Sequence, residues 1–208
     1  MREQAGKAVE DVVIIGGGMV GMLAWFALRS MGVERLRILD QSNPGHEGPW
    51  LNYARMQTLR SPKQLTGPAF GHGLLTFQAW YRAQFGAADW QALDKIPRPM
   101  WMEYLKWYRK VLQIPVENGI RVDLIEPDDD LLRLTQSGTK SDTILTRKVV
   151  MATGRDGTGK PNIPDFAKGL PINLWAHSAD DINFNALRNK RVAVIGVGAS
   201  AVDNAAEA

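Results

Sequence analysis

Glycines at positions 16, 18 and 21 stand directly after the apolar run Val12-Val13-Ile14-Ile15. In that G-x-G-x-x-G spacing each glycine has a physical job. Gly16 permits the tight turn off a buried strand, and Gly18 offers bare backbone that a pyrophosphate can approach closely. Gly21 lets the next helix lie close to the strand, with its free N–H groups and positive dipole end aimed at the phosphates. Gly17 and Met19 belong to the same turn. The run Arg35-Leu36-Arg37-Ile38-Leu39-Asp40 then reads as a strand that ends in a carboxylate. Asp40 lies 19 residues beyond Gly21 and is followed by Gln41. An acid at that place can take ribose hydroxyls. Strand, glycines, helix (residues 22–28), strand and acid in this order predict a dinucleotide site. A second set, Gly196-x-Gly198-x-Ser200-Ala201, follows the apolar run at 192–195 and predicts another.

The remaining elements must position these groups. Residues 41–50 are rich in turn formers and too long for a simple connection, which predicts a loop over a bound group with Trp50 against its rings. His46 in that loop reads as a solvated residue, not a ligand. Residues 52–63 show no clean period. Residues 74–85 read as a helix with Thr76 as a cap. Trp101, Leu105, Tyr108 and Leu112 form one stripe of a second helix that starts at Pro97 and Pro99, so Trp101 and Trp107 read as packing residues. Residues 120–126 alternate as a strand closed by a turn at 127–130, whose three aspartates read as a solvated turn with no metal-ligand spacing. Residues 131–135 and 143–146 suggest a small antiparallel meander about Gly138. Residues 148–154 read as a separate buried strand that ends in Thr153-Gly154. Residues 190–195 read as the strand before the second glycine turn, and the helix from Ala201 stops in mid-pattern.

Composition narrows the class. The 208 residues can form one large domain or two small ones, with 45% apolar content and a net charge of +3. Lysines and arginines are scattered, so no nucleic-acid footprint is expected. No apolar run is long enough to span a membrane, and the polar residues 1–7 do not read as a signal peptide, which leaves a cytoplasmic protein as the expectation. With no cysteine, this stretch has no disulfide, thiolate metal site or dithiol redox pair, and no metal site is expected.

These motifs, with Gly48-Pro49-Trp50 similar to a G-G-x-W motif and with Ala152-Thr153-Gly154, resemble the N-terminal part of class B flavoprotein monooxygenases. That family includes flavin-containing, Baeyer–Villiger and N-hydroxylating enzymes. The resemblance implies an α/β fold: a Rossmann-type FAD-binding domain (parallel sheet with a small antiparallel meander) over residues 1–165. Residues 166–208 would be a linker and the truncated start of a second Rossmann domain for NADP. FAD contacts would fall to Gly16, Gly17, Gly18, Met19, Gly21, Asp40, Gln41, Trp50, Gln57, Val122, Thr153 and Gly154. Gly196, Gly198, Ser200 and Ala201 would serve the nicotinamide dinucleotide. The implied reaction uses NADPH to reduce the flavin, and a C4a-(hydro)peroxyflavin gives one atom of O₂ to a small-molecule substrate. No catalytic side chain is singled out, and self-association is left open.

The branch is not settled by the motifs. Arg55-Met56-Gln57 followed by Leu74-Leu75-Thr76-Phe77 resembles the N-hydroxylases, in which Gln57 would bond near the isoalloxazine; an ordinary loop amide is the alternative. Arg60 and Lys63 bracket the place of that branch's substrate lysine. Phe166, Gly169 and His177 resemble a linker motif at too long a spacing, and His177 reads equally as a structural histidine. Two other functions remain open: an FAD/NAD(P)-dependent oxidoreductase without oxygenation, and a non-catalytic FAD-binding fragment.

Overall fold

A computed structural model describes residues 8–154, 157, 159 and 161–208. The polar stretch 1–7 lies outside the described residues. One six-stranded sheet organises the molecule, in the order β3-β2-β1-β6-β5-β4. Its strands are β1 (Val9–Ile15), β2 (Leu36–Asp40), β3 (Val116–Asn118), β4 (Ile120–Asp128), β5 (Leu131–Gly138) and β6 (Thr143–Met151). The first four in that spatial order run parallel, with Ile14 opposite Ile38 on one side and Val150 on the other. The meander β4-β5-β6 is antiparallel.

The continuous apolar run of β1 follows from burial on both faces. Val12 and Ile14, with Ile38 of β2, enter a core shared with the helices. Val13 and Leu39 enter a second core with Ile120, Leu134 and Ile144 of the meander. The molecule is therefore layered: helices, sheet, folded-over meander. On the helical side, α1 (Met19–Ser30) crosses between β1 and β2, while α2 (Phe77–Phe85), α3 (Ala87–Ala92) and α4 (Arg98–Val111) build an aromatic core. Phe77 is fully buried, with the rings of Trp80, Tyr81, Trp101 and Tyr104 centred 5.4–5.8 Å away. Trp101 is thus a packing residue, and Trp107 stacks on Tyr104 at 5.9 Å.

Several boundaries differ from the sequence expectation. Helix α2 begins at Phe77, not 74, because Thr76 is its extended N-cap and Thr76 Oγ1 accepts from the Ala79 amide at 3.2 Å. Residues Gly73–Leu75 form a 3₁₀ turn ahead of it. The two strands expected at 143–146 and 148–154 are one strand, β6, since its residues pair with β5 and β1 at once. Strand β3 and helix α3 were not expected, being three and six residues long and too short to display a period.

The expected strand at 190–195 does not form. Residues 191–196 carry no ladder pairing, and Val192, Val194 and Ile195 are 43%, 40% and 71% exposed. A strand needs a partner edge for its backbone groups, and no described segment supplies one. The helix after it, α6 (Ala199–Glu207), begins two residues earlier than expected. It is held by an Arg60–Asp203 ion pair at 2.6 Å and by buried Asn204. Among the described residues between β6 and α6 lie only α5 (Asp165–Lys168) and two 3₁₀ turns.

Candidate functional site

The glycine turn at the end of β1 shows why each position is bare. Gly16 has φ +107°, and a Cβ there would strike the Ala152 carbonyl that follows β6. A Cβ on Gly21 would drive into the Gly16 carbonyl oxygen, so α1 can approach β1 only through a glycine. Gly17 is pressed against Val116 of β3. Gly18 differs from all three. Its φ of −70° and ψ of −172° suit any residue, and a Cβ would meet nothing closer than Gly48 at 3.8 Å. The space at Gly18 is open, and it faces a loop.

Asp40 ends β2 beside this turn. Its Oδ2 accepts from the Gly17 amide and its Oδ1 from the Ser42 amide, both at 2.7 Å. Two lone-pair sites remain on the carboxylate, which is buried and held in one orientation. Gln41 next to it is exposed. Helix α1 has Gly18 as its N-cap, with no side-chain cap and no acid in its first turn. Its first amides have no intrahelical acceptor, and Met19 packs its side chain on the helical core.

Residues 41–50 lie against this corner through a residue that the sequence reading passed over. Glu47 is 4% exposed. Its Oε2 accepts from the Gly45 amide at 2.9 Å, and its Oε1 from Arg109 at 2.6 Å and Asn118 at 2.7 Å. This network ties the loop to α4 and β3. Arg98 is a second unforeseen clamp: it donates to the Trp50 carbonyl and, at 3.0 Å, to the Met56 carbonyl. Its own amide donates to Gln57 O at 2.9 Å. The one signal for Arg98 was its place between Pro97 and Pro99. Trp50 sits edge-on to Trp101 at 6.1 Å, while the Gln57 side chain is exposed.

Other expected residues fall in different places. Thr153 and Gly154 follow β6 directly beside Gly16; the Thr153 hydroxyl is buried without a hydrogen-bond partner, and Gly154 has φ +79° with open space around it. Val122 lies on β4, partly buried against the second core. Gly196 (φ +148°) and Gly198 (φ −84°, ψ 170°) repeat the turn geometry of Gly16 and Gly18. Ser200 there is exposed and Ala201 packs toward Gly196, whose Cβ would come within 3.1 Å of it.

Arg60 and Lys63 are both engaged. Arg60 pairs with Asp203. The Lys63 ammonium donates to Trp90 O at 2.7 Å and to two further carbonyls, Gln91 and Leu93, at the end of α3. Three donors meet three acceptors, so this lysine closes a helix C-terminus. His177 serves a local turn, its Nδ1 accepting from the Ala179 amide at 3.1 Å. His46 is exposed. Asp128 pairs with Arg133 at 2.7 Å, and no described cluster of three or more His, Asp or Glu could hold a metal. Burial pushes Tyr108 up to about 12. Tyr104 rises too and donates to Leu75 O at 2.6 Å. Both phenols are therefore neutral packing groups, not acids or bases at ordinary pH.

The residues fit a dinucleotide. An open Gly18 facing Gly48 leaves space for a pyrophosphate, the uncapped α1 terminus supplies donors, and Asp40 keeps acceptor capacity. The Thr153 hydroxyl lacks a partner beside the same turn.

Known proteins share the sequence and the fold of this chain. A family model described as pyridine nucleotide-disulphide oxidoreductase matches residues 13–208. The FAD-dependent urate hydroxylase of Xanthomonas campestris pv. campestris is 47% identical over 202 residues, which cover 95% of this chain and 42% of that protein. The chain thus spans less than half the length of this curated relative. A flavin monooxygenase from Stenotrophomonas maltophilia, solved as a double mutant, shares 26% identity at a TM-score of 0.69 over 95% of this chain and 53% of its own. The cadaverine monooxygenase DfoA of Erwinia amylovora, solved with FAD, superposes at a TM-score of 0.74 with 19% identity, over 95% and 47%. The last shows a shared fold. The resemblance to flavoprotein monooxygenases and the Rossmann-type α/β fold with its meander are both borne out.

Proposed function

Because the chain belongs to the pyridine nucleotide-disulphide oxidoreductase family, we propose that it is the FAD-binding part of an NADPH-using flavin monooxygenase. The enzyme inserts one oxygen atom from O₂ into a small-molecule substrate. The carrying observation is the open turn at Gly18, set opposite Gly48 by a network that leaves the rest of the corner packed. The family's disulphide name has no chemistry to attach to within these cysteine-free residues. The urate hydroxylase relative makes a urate-like heterocycle the first substrate class to test.

In this reading Gly16, Gly17, Gly18, Met19 and Gly21 hold the FAD pyrophosphate, and Asp40 and Gln41 hold its ribose. Val122 lends its strand to the adenosine side. Trp50 and Gln57, held by Arg98, stand on the isoalloxazine side with Thr153 and Gly154. When bound, the FAD supplies hydride acceptance and oxygen activation. The chain's own work is to fix that group and keep water from it. Residues 1–165 form this unit, and residues 166–208 lead to the nicotinamide site. Gly196, Gly198, Ser200 and Ala201 begin that site, which residues outside this chain complete. A soluble cytoplasmic protein fits this reading; among the described residues no helix is long and apolar enough to cross a membrane.

The test uses a longer form of the protein that includes the remaining length of its relatives. It should oxidise NADPH faster with a urate-like substrate and place one atom of labelled O₂ in the product. NADPH oxidation with no label in any product would make it a reductase and end this proposal.

A further inference from the structure

A cavity of about 70 Å³ opens beside Gly18, bounded by the 41–50 loop and by one face of α4. Three charged side chains line it: Glu47, Lys106 and Arg109. Arg109 is committed, because its guanidinium bonds Glu47 at 2.6 Å, Val116 O at 2.8 Å and a β3 asparagine. Glu47 is equally committed, and its charge is neutralised by Arg109. The wall therefore carries one positive charge in excess, and that charge is Lys106.

Lys106 is held lightly. It pairs at 2.9 Å with Glu103, one turn earlier on α4, and both side chains are exposed, at 41% and 61%. An exposed i,i+3 pair of this kind contributes little. The Lys106 stem lies across Gly45: a Cβ on that glycine would sit 2.9 Å from Lys106 Cε and 3.7 Å from Nζ. Gly45, at φ +82°, thus clears the path by which the ammonium reaches the mouth of the cavity. A flexible lysine with a weak partner is suited to follow a phosphate oxygen, as a point charge that needs no fixed fork.

We propose that Lys106 is a phosphate-binding residue, which leaves Glu103 and donates to the pyrophosphate of the dinucleotide held over the Gly16–Gly21 turn. This rests on the FAD reading above and adds a cation from a helix that is remote in sequence from the glycine motif.

Equilibrium titration of the 208-residue chain with FAD and with ADP tests it. Lys106→Met should weaken both by about tenfold, the loss of one charge-assisted bond to phosphate. Lys106→Arg should retain most of the affinity. Adenosine, which has no phosphate, should bind wild type and Lys106→Met alike. Added salt should weaken FAD binding to wild type more than to the methionine variant. The ligand-free unfolding midpoints should coincide, which separates lost recognition from lost structure. If Lys106→Met binds FAD and ADP as tightly as wild type does, the inference fails while the FAD reading stands. If wild type itself binds neither, the FAD reading fails and takes this inference with it.

Discussion

Gly18 and Gly21 are three residues apart, yet their substitutions should have opposite consequences. At Gly21 a methyl would enter the backbone oxygen of Gly16, and no side chain can move aside to relieve it. Gly21→Ala is expected to cost several kcal/mol, on the order of 3, through forced separation of α1 from β1. Its urea midpoint, or its failure to accumulate as soluble protein, checks this. Gly18 has room for a Cβ and an ordinary backbone conformation, so Gly18→Val should cost no more than about 1 kcal/mol, the loss of a favoured N-cap residue. These roles were legible in the sequence because sterics assign them to spacing alone. Glu47 was not legible: its partner Arg109 lies 62 positions away, and it stood in the sequence as one more polar residue among turn formers. Glu47→Ala leaves a half-buried guanidinium without its carboxylate. It should destabilise by about 3 kcal/mol, as broken buried pairs do, and should loosen the loop that faces Gly18. Denaturant unfolding with amide exchange over 41–50 reports both.

Elements depend on neighbours, and here the sequence misled where a segment has two partners or none. Strand β6 reads as two strands in the sequence because its pairing with β5 ends at Thr146 while its pairing with β1 runs on to Met151. The 191–195 run has the residues of a strand and no edge to join. The amphipathic α4 and the Thr76 cap were legible, since both are local signals; Thr76→Ala should cost about 1 kcal/mol, measurable as a small drop in urea midpoint. The edge pair β2–β3 is pinned by Arg37 and Glu117, whose Nε and Oε1 lie 2.6 Å apart. Burial raises the Glu117 carboxyl, but bonds from Arg37 and Lys140 outweigh it and hold the group below its ordinary value of 4.5. A depressed carboxyl contributes stability that is complete above the ordinary value and is lost as pH falls through the folded one. Glu117→Gln should therefore flatten the decline in stability below about pH 4.5. An unchanged acid limb in the variant would contradict this.

For the whole molecule, residues 8–154 carry both cores and the complete first glycine turn, whereas the second turn stands on a segment without a sheet. The chain covers 42% of the urate hydroxylase's length, and the nucleotide crevice of a doubly wound sheet needs neighbouring strands. Calorimetric titration of these 208 residues with NADP⁺ should accordingly show no micromolar binding, and such binding abolished by Gly198→Val would show that the second site assembles without more chain. The central claim concerns the first site, and FAD stoichiometry after reconstitution tests it most directly. Wild type should hold one FAD per chain, while Gly18→Val should hold none, keep the same circular dichroism and unfold within about 1 kcal/mol of wild type. A Gly18→Val protein that keeps its yellow chromophore at wild-type stoichiometry would contradict the assignment.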